Sequence, residues 1–264
     1  MPARSARPAR PAMTLHAYVL HRYDWSESSL ILDLWTREQG RLAVAARGAK
    51  RPYSQLRPVL MPFQRLVLTL GRPRPMADGG DGPAPEVQTL RGAEWAGGDA
   101  TVLGAAGLFS GFYCNELLMK LLARHDPHPL LFDAYAETLP HLAADDGAAQ
   151  RAIRAFELVL LREIGLLPDL SRVTPTQVAV AEDDRLTLWA EHGVTTPAFG
   201  EMGVAGSVLI GLQAALDHGS MAALRQACGK ALPELRGLLR GLLAYHLGTT
   251  TLRTRQVLAS VQNL

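Results

Sequence analysis

GRLAVAARGAKRPYSQLRPVLMPF, residues Gly40 to Phe63, is the stretch on which the fold of this chain turns. It opens as a strand: Leu42, Val44 and Ala46 fall on alternate positions and so share one face. The strand breaks at Arg47-Gly48-Ala49-Lys50-Arg51-Pro52, a loop with three positive charges in five residues. Tyr53 follows at once, and Arg57 comes just before a second apolar run that starts at Val59. A basic loop that holds an aromatic ring between two strands suits a nucleic-acid backbone. The cations meet phosphate, and the ring offers a flat face to an unstacked base. Gly48 and Pro52 also account for a plain turn whose charges only keep it in solvent. The loop alone leaves both readings standing.

On either side the pattern is strand after strand. Leu15–Arg22 reads as the first strand and Ser28–Thr36 as the second, with Leu30, Leu32 and Leu34 on one face. The Arg37–Gly40 turn leads into the third, Gly40–Arg47. Phe63–Leu70 is the fourth, and a loose Gly/Pro stretch, Gly71–Pro85, precedes a fifth near Val87–Glu94. Five short strands with one long late loop predict a small closed barrel. The OB-fold is the commonest five-stranded form, with an SH3-like barrel as the alternative.

Charge is distributed unevenly. Residues 1–75 hold 13 Arg+Lys against 4 Asp+Glu, a net of +9, while the other 189 residues hold 14 against 21, a net of −7. A basic front on an acidic body fits one nucleic-acid face joined to a scaffold, or two parts that attract each other. Arg4, Arg7 and Arg10 lie in MPARSARPARPA, residues 1–12, which has no acid and no apolar core. It reads as a disordered basic tail, with Met13 an alternative start, and not as a secretory signal. Hydrophobic residues make up 48% of the chain, enough for a core, yet no apolar run reaches membrane-spanning length. Two cysteines, Cys114 and Cys228, are too few for a disulfide framework or a four-cysteine zinc site, which favours a reducing cytosol.

After Gly98 the period becomes helical. Leu108, Phe109, Phe112, Leu117, Leu121 and Leu122 make one long apolar face. Leu130–Leu142 and Ala148–Leu167 follow as helices, the latter striped by Ile153, Phe156, Leu160 and Ile164. Residues 168–205 read as irregular, with strand-like pieces at Gln177–Ala181 and Leu186–Ala190. Helices then resume at Val208–Leu216, Ala222–Ala231, Pro233–Leu247 and Leu252–Val261. The expected class is α+β with two domains: an OB-fold nucleic-acid-binding domain over 13–97 and a mostly α-helical domain over 98–264.

Catalytic signatures are missing from the sequence. There is no GxxxxGK[ST], since Gly229-Lys230 is followed by Ala231, and no GxSxG around Ser110. Asp145-Asp146 and Asp183-Asp184 are adjacent pairs of the kind found in solvated loops. His125, Asp126 and His128 offer metal-ligand types, but a proline-broken loop explains them as well.

The residues also carry a resemblance. YVLHRYDWSESSLILDLWTREQGRLAVAARGAKR (18–51), LRPVLMPFQRLVLTL (56–70) and VQTLRGAEW (87–95) resemble the N-terminal domain of the RecO family of bacterial recombination mediators. LFSGFYCNELLMKLL (108–122), AIRAFELVLLREIGLLPDL (152–170) and LRTRQVL (252–258) resemble its helical domain. The resemblance implies an OB-fold, a helical domain and no enzymatic activity or cofactor. It also implies binding to single- and double-stranded DNA, annealing of complementary strands, and action with RecR to let RecA load onto DNA coated by single-stranded DNA-binding protein. The place implied is the cytoplasm, on the nucleoid. A basic adaptor for an acidic protein and a metal-dependent nucleic-acid enzyme are the alternatives.

Many relatives carry a four-cysteine zinc module just after the equivalent of LLPDL. Here DLSRVTPTQVAVAEDDRLTLWAEHG has no cysteine, so 168–205 is expected to be a degenerate module without metal. On the barrel the resemblance makes Arg37, Arg41, Arg47, Lys50, Arg51, Arg57 and Arg65 DNA-contact candidates, with Tyr53 as a stacking ring. Arg22 and Arg91 are expected to solvate an edge, and Trp25 and Trp35 to lie in the core. In the helical half the family captures the acidic C-terminal tail of single-stranded DNA-binding protein. Ile153, Phe156 and Leu160 would form that groove, with Arg154 and Arg151 at its rim to take the terminal carboxylate. Pairing of Arg154 with Glu157 or Glu116 is the competing reading.

Overall fold

The computed structural model describes residues 14–71, 86–97, 102–201, 203–249 and 251–262, with side chains in the last segment described to Val257. The basic tail at 1–12, Met13 and nearly all of the Gly71–Pro85 loop lie outside the described residues. Two compact units, Met1–Gly98 and Asp99–Leu264, make up the chain.

In the first unit β1 (Thr14–Asp24), β2 (Leu30–Thr36), β3 (Gly40–Ala46), β4 (Leu66–Leu70) and β5 (Val87–Trp95) close a barrel in the order β1-β2-β3-β5-β4. β3 and β5 run parallel, and every other pair is antiparallel. This is the OB order, not an SH3-like one. Alternation puts Leu15, Ala17, Val19, Leu32, Leu34, Leu42, Val44, Leu66 and Leu68 inside with no exposure. A register shift between Val19 and His21 bends β1 where it leaves this core. A short helix that the apolar pattern did not announce, α1 (Leu56–Val59), lies between β3 and β4, and Leu56 and Val59 pack on the core.

The second unit holds α2 (Ala105–Leu121), α3 (Pro129–Leu142), α4 (Asp146–Glu163), α5 (Gly206–Asp217), α6 (Met221–Cys228), α7 (Leu232–Leu247) and α8 (Arg253–Gln262). α4 is central and packs against α2, α3, α6 and α7. Asp145 caps it by accepting from Ala148 N at 2.9 Å. Its Ala149, Ala152 and Ala155 are buried, small residues that let neighbouring helices approach closely.

Residues 168–205 are more ordered than the sequence suggests. β6 (Arg185–Trp189) pairs with β7 (Gly193–Thr195) on one side and β8 (Val204–Ala205) on the other. Gln177–Ala181 is not a strand and contributes only an isolated bridge, Arg172 to Ala179. Packing holds this sheet: Leu186, Leu188, Val194 and Val204 are buried, and Thr174 both donates to Val194 O and accepts from Val194 N. Close backbone approach adds to it, because a Cβ on Gly206 would lie 1.9 Å from Ala181 O.

Candidate nucleic-acid interface and arginine cavity

At one end of the barrel the register sets Asp24 opposite Leu30, and Leu30 opposite Ala46. The end of β1, the β1–β2 connection and the loop after β3 therefore meet there. Gly48 takes φ +72°, turning the chain so that Ala49 is buried while Arg47 and Arg51 stay exposed. Lys50 N donates to Ser28 O, and Arg51 N to Gly48 O, which fixes the loop. Tyr53 stands 95% exposed, the exposure a stacking platform needs.

Lys50, Arg57 and Arg22 line one hollow of about 380 Å³ with Asp24. Lys50 Nζ lies 3.0 Å from Asp24 Oδ1 and donates to Ser26 O, so part of its charge is matched inside the protein. Arg22 Nη1 donates to Leu60 O at 3.3 Å, which turns its guanidinium into the hollow and away from the sheet edge. Trp25 is 56% exposed on the β1–β2 connection, not in the core; Trp35 is fully buried. Together these give three cations beside exposed rings at one barrel end.

The other barrel candidates do not join them. Arg41 is a correction: it is buried on β3, with Nη2 2.9 Å from Asp33 Oδ2. Strand alternation alone puts it on the face opposite Leu42, and a buried guanidinium needs such a carboxylate. Arg37 sits in the β2–β3 turn, a full strand away from Arg47, roughly 23 Å for seven residues. Arg65 precedes β4 beside the end of β5, where Ala96 N donates to its carbonyl, and it does not line the hollow.

In the second unit α2, α4, α7 and α8 wall a cavity of about 380 Å³. α4 supplies Asp146, Gln150, Ile153 and Arg154, spaced i, i+4, i+7, i+8. α7 adds the exposed Arg236 and Arg240, and α8 adds Thr254 and Arg255. Phe109 and Tyr113 of α2 supply apolar wall. Four arginines line the cavity against one aspartate, beside the apolar wall of Phe109 and Ile153.

Arg154 is 5% exposed and forms an ion pair with the fully buried Glu157, Nη1 to Oε2 at 2.8 Å. Even so, neither Nη1 nor Nε is in hydrogen-bonding geometry with any described acceptor. Tyr113 Oη donates a short hydrogen bond to Glu157, and the Arg255 guanidinium lies 5.2 Å from the Tyr113 ring centre. Burial pushes the Glu157 carboxyl above its usual range, and Arg154, Tyr113 and Arg255 work against that rise. α8 is tied down by Glu116, whose carboxylate accepts from Arg253 N, Thr254 N and Thr254 Oγ1 at 2.7–2.9 Å. Burial raises this carboxyl, but the bonds from Thr254 and Arg253 outweigh it and hold it below the ordinary value.

The rest of the expected groove is corrected. Phe156 and Leu160 have no exposure and face the core, Phe156 meeting Tyr135 edge-on at 5.9 Å. Arg151 does not line the cavity; its Cδ faces Gly229, where an added Cβ would lie 3.0 Å away. His128 Nε2 and Asp126 Oδ2 stand 3.4 Å apart as a pair, and among the described residues no three His, Cys, Asp or Glu side chains converge. Both cysteines are buried free thiols; burial pushes Cys114 up strongly and Cys228 up to about 12, which favours the protonated thiol in each.

Comparison with known proteins gives this geometry its context. Residues 12–76 match the family described as Recombination protein O N terminal, and residues 106–256 the one described as Recombination protein O C terminal. The chain belongs to the recombination protein O family. A DNA repair protein RecO of Variovorax paradoxus (strain S110) is 49% identical over 258 residues, covering 94% of this chain and 96% of the relative. One of Polaromonas naphthalenivorans (strain CJ2) is 49% identical over 251 residues with the same coverage. These relatives are named as DNA repair proteins. Among the described residues no helix is long and apolar enough to cross a membrane.

Sequence reasoning set Arg22 at an edge and Trp25 in the core, and it passed over Arg236, Arg240 and Arg255. The i, i+4 spacing of Arg236 and Arg240 and the family-like LRTRQVL segment were the available signals.

Proposed function

We propose that the protein is a recombination mediator: it binds single- and double-stranded DNA without sequence preference through the barrel, anneals complementary strands, and with RecR helps RecA load onto DNA coated by single-stranded DNA-binding protein. In this reading 13–97 is the DNA-binding domain, 98–264 the partner domain, and the site of action the nucleoid in the cytoplasm. The observation that carries it is the barrel end where Arg22, Lys50 and Arg57 line one hollow, with Arg47, Arg51, Tyr53 and Trp25 exposed on the loops that meet there. Guanidinium groups there suit phosphates, and the rings suit unstacked bases. Arg37 and Arg65 extend this reading as outlying phosphate contacts.

The arginine cavity supports a second part of it. An acidic C-terminal tail that ends in an apolar residue would put its side chain against Phe109 and Ile153 and its carboxylates on Arg154, Arg236, Arg240 and Arg255. The test is annealing of complementary oligonucleotides coated with single-stranded DNA-binding protein, without ATP. The wild type anneals them. Arg47→Ala/Arg51→Ala/Arg57→Ala loses annealing of bare strands as well, whereas Arg236→Ala/Arg240→Ala loses only the reaction on coated strands. Equal rates for all three proteins would overturn the reading.

A further inference from the structure

A second surface of the helical unit has the opposite chemistry. β6, the β6–β7 turn, residues 195–201 and α7 enclose a groove of about 720 Å³. Its floor is apolar, from Leu188, Leu238 and Leu242, and Gly237 and Gly241 keep it open, since an added Cβ at either meets nothing within 4 Å. Trp189 and Tyr245 flank it at 48% and 56% exposure, and Phe199, next in sequence to the lining Ala198, is fully exposed. Such a cluster of bare aromatic surface on one unit marks a contact site.

The charge identifies the occupant. Glu191 and Glu201 line the groove, and among the described residues no lysine or arginine does. Both carboxylates are held in place: Tyr245 Oη donates to Glu191 Oε1 at 3.1 Å, and Glu201 Oε2 accepts from Ala198 N at 2.9 Å. Each keeps lone pairs for a further donor. Indole and phenol faces attract guanidinium and ammonium groups, and carboxylates grip them directly. The same charges repel DNA and acidic peptides. The volume suits a few side chains of an extended segment.

We propose that this groove docks a short basic peptide segment of a partner protein, its Arg or Lys between Trp189, Tyr245 and the two carboxylates and an apolar neighbour on the leucine floor. The groove shares α7 with the arginine cavity but none of its lining residues, so its test is independent of that cavity's.

A random phage-displayed heptapeptide library panned on the full chain tests it, followed by fluorescence anisotropy with the enriched sequences as labelled peptides. Enrichment of Arg/Lys beside Leu, Phe or Trp is expected, with salt-sensitive binding. Glu191→Lys/Glu201→Lys, an exposed double change, and Trp189→Ala should each weaken that binding at least tenfold while leaving the thermal midpoint, DNA affinity and acidic-peptide affinity at wild-type values. If Trp189→Ala unfolds, the charge reversal alone decides. Enrichment of acidic peptides only, or basic-peptide binding that survives the charge reversal, overturns the proposal. A concentration-dependent dimer that the reversal dissolves overturns it in favour of a second copy of this chain.

Discussion

Arg41 and Arg154 show why a cation's position in the sequence does not tell its use. Both lie within motif-like stretches, and both are buried against a carboxylate, Asp33 and Glu157. Removing one member of such a pair leaves an unmatched charge inside, a loss of about 3–5 kcal/mol, while removing both costs less. Arg41→Ala should therefore lower the midpoint of urea unfolding sharply, and Arg41→Ala/Asp33→Ala should recover part of it; equal midpoints for single and double variants would refute the pairing. For Arg154 the same logic predicts that Arg154→Ala destabilises the helical unit before it reports on a ligand. Arg240, exposed on α7, is the cleaner probe of the cavity. Glu116 is read by pH. Its folded carboxyl sits below the ordinary value, so its contribution is fully present above about pH 4.3 and is lost as pH falls through the lower folded value. Hydrogen exchange of residues 253–262 should then rise at acid pH, and Glu116→Ala should raise it at neutral pH by the scale of a lost helix cap, about 1–2 kcal/mol. Unchanged exchange in that variant would release α8 from Glu116.

At the level of elements the sequence was most readable where one face is buried. β1 to β5 follow the alternation of Leu15, Ala17, Leu32, Leu34, Leu42 and Val44, and the helices follow their stripes, with ends displaced by a few residues. α1 was hidden because four residues are too few to show a helical period. β7 and β8 were hidden because three- and two-residue strands rest on packing rather than pattern. Chain order also cannot show that α7 and α8 bring arginines to the face of α4 that bears Arg154. Gly206 and Gly211 test the packing account within a single helix, α5. Gly206→Ala has to displace Ala181 O and should cost about 1–3 kcal/mol. Gly211→Ala meets nothing within 4 Å and should gain roughly 0.5–1 kcal/mol from helix propensity. Thermal midpoints that move in the same direction would sink this account of how the sheet is fastened.

For the whole molecule, the proposed function makes the split between +9 in residues 1–75 and −7 in the rest the determinant of how DNA is met. Phosphate contacts release counterions, so affinity falls with salt at a slope of about −0.9 per contact on duplex and −0.7 on single strands. Arg47, Arg51 and Arg57 are exposed, whereas Lys50 already faces Asp24. If all three arginines meet phosphate, replacing them with Ala should flatten the slope by roughly two to three units on either substrate. Lys50→Ala should flatten it by less than Arg57→Ala, because Asp24 has already neutralised part of that charge. Substituting Asp24 itself by Asn should steepen the slope, since it returns Lys50 to the solvent side. A Lys50→Ala slope as shallow as that of Arg57→Ala would mean that DNA displaces Asp24 outright, and the pair would then be a latch opened by DNA instead of a fixed bridge.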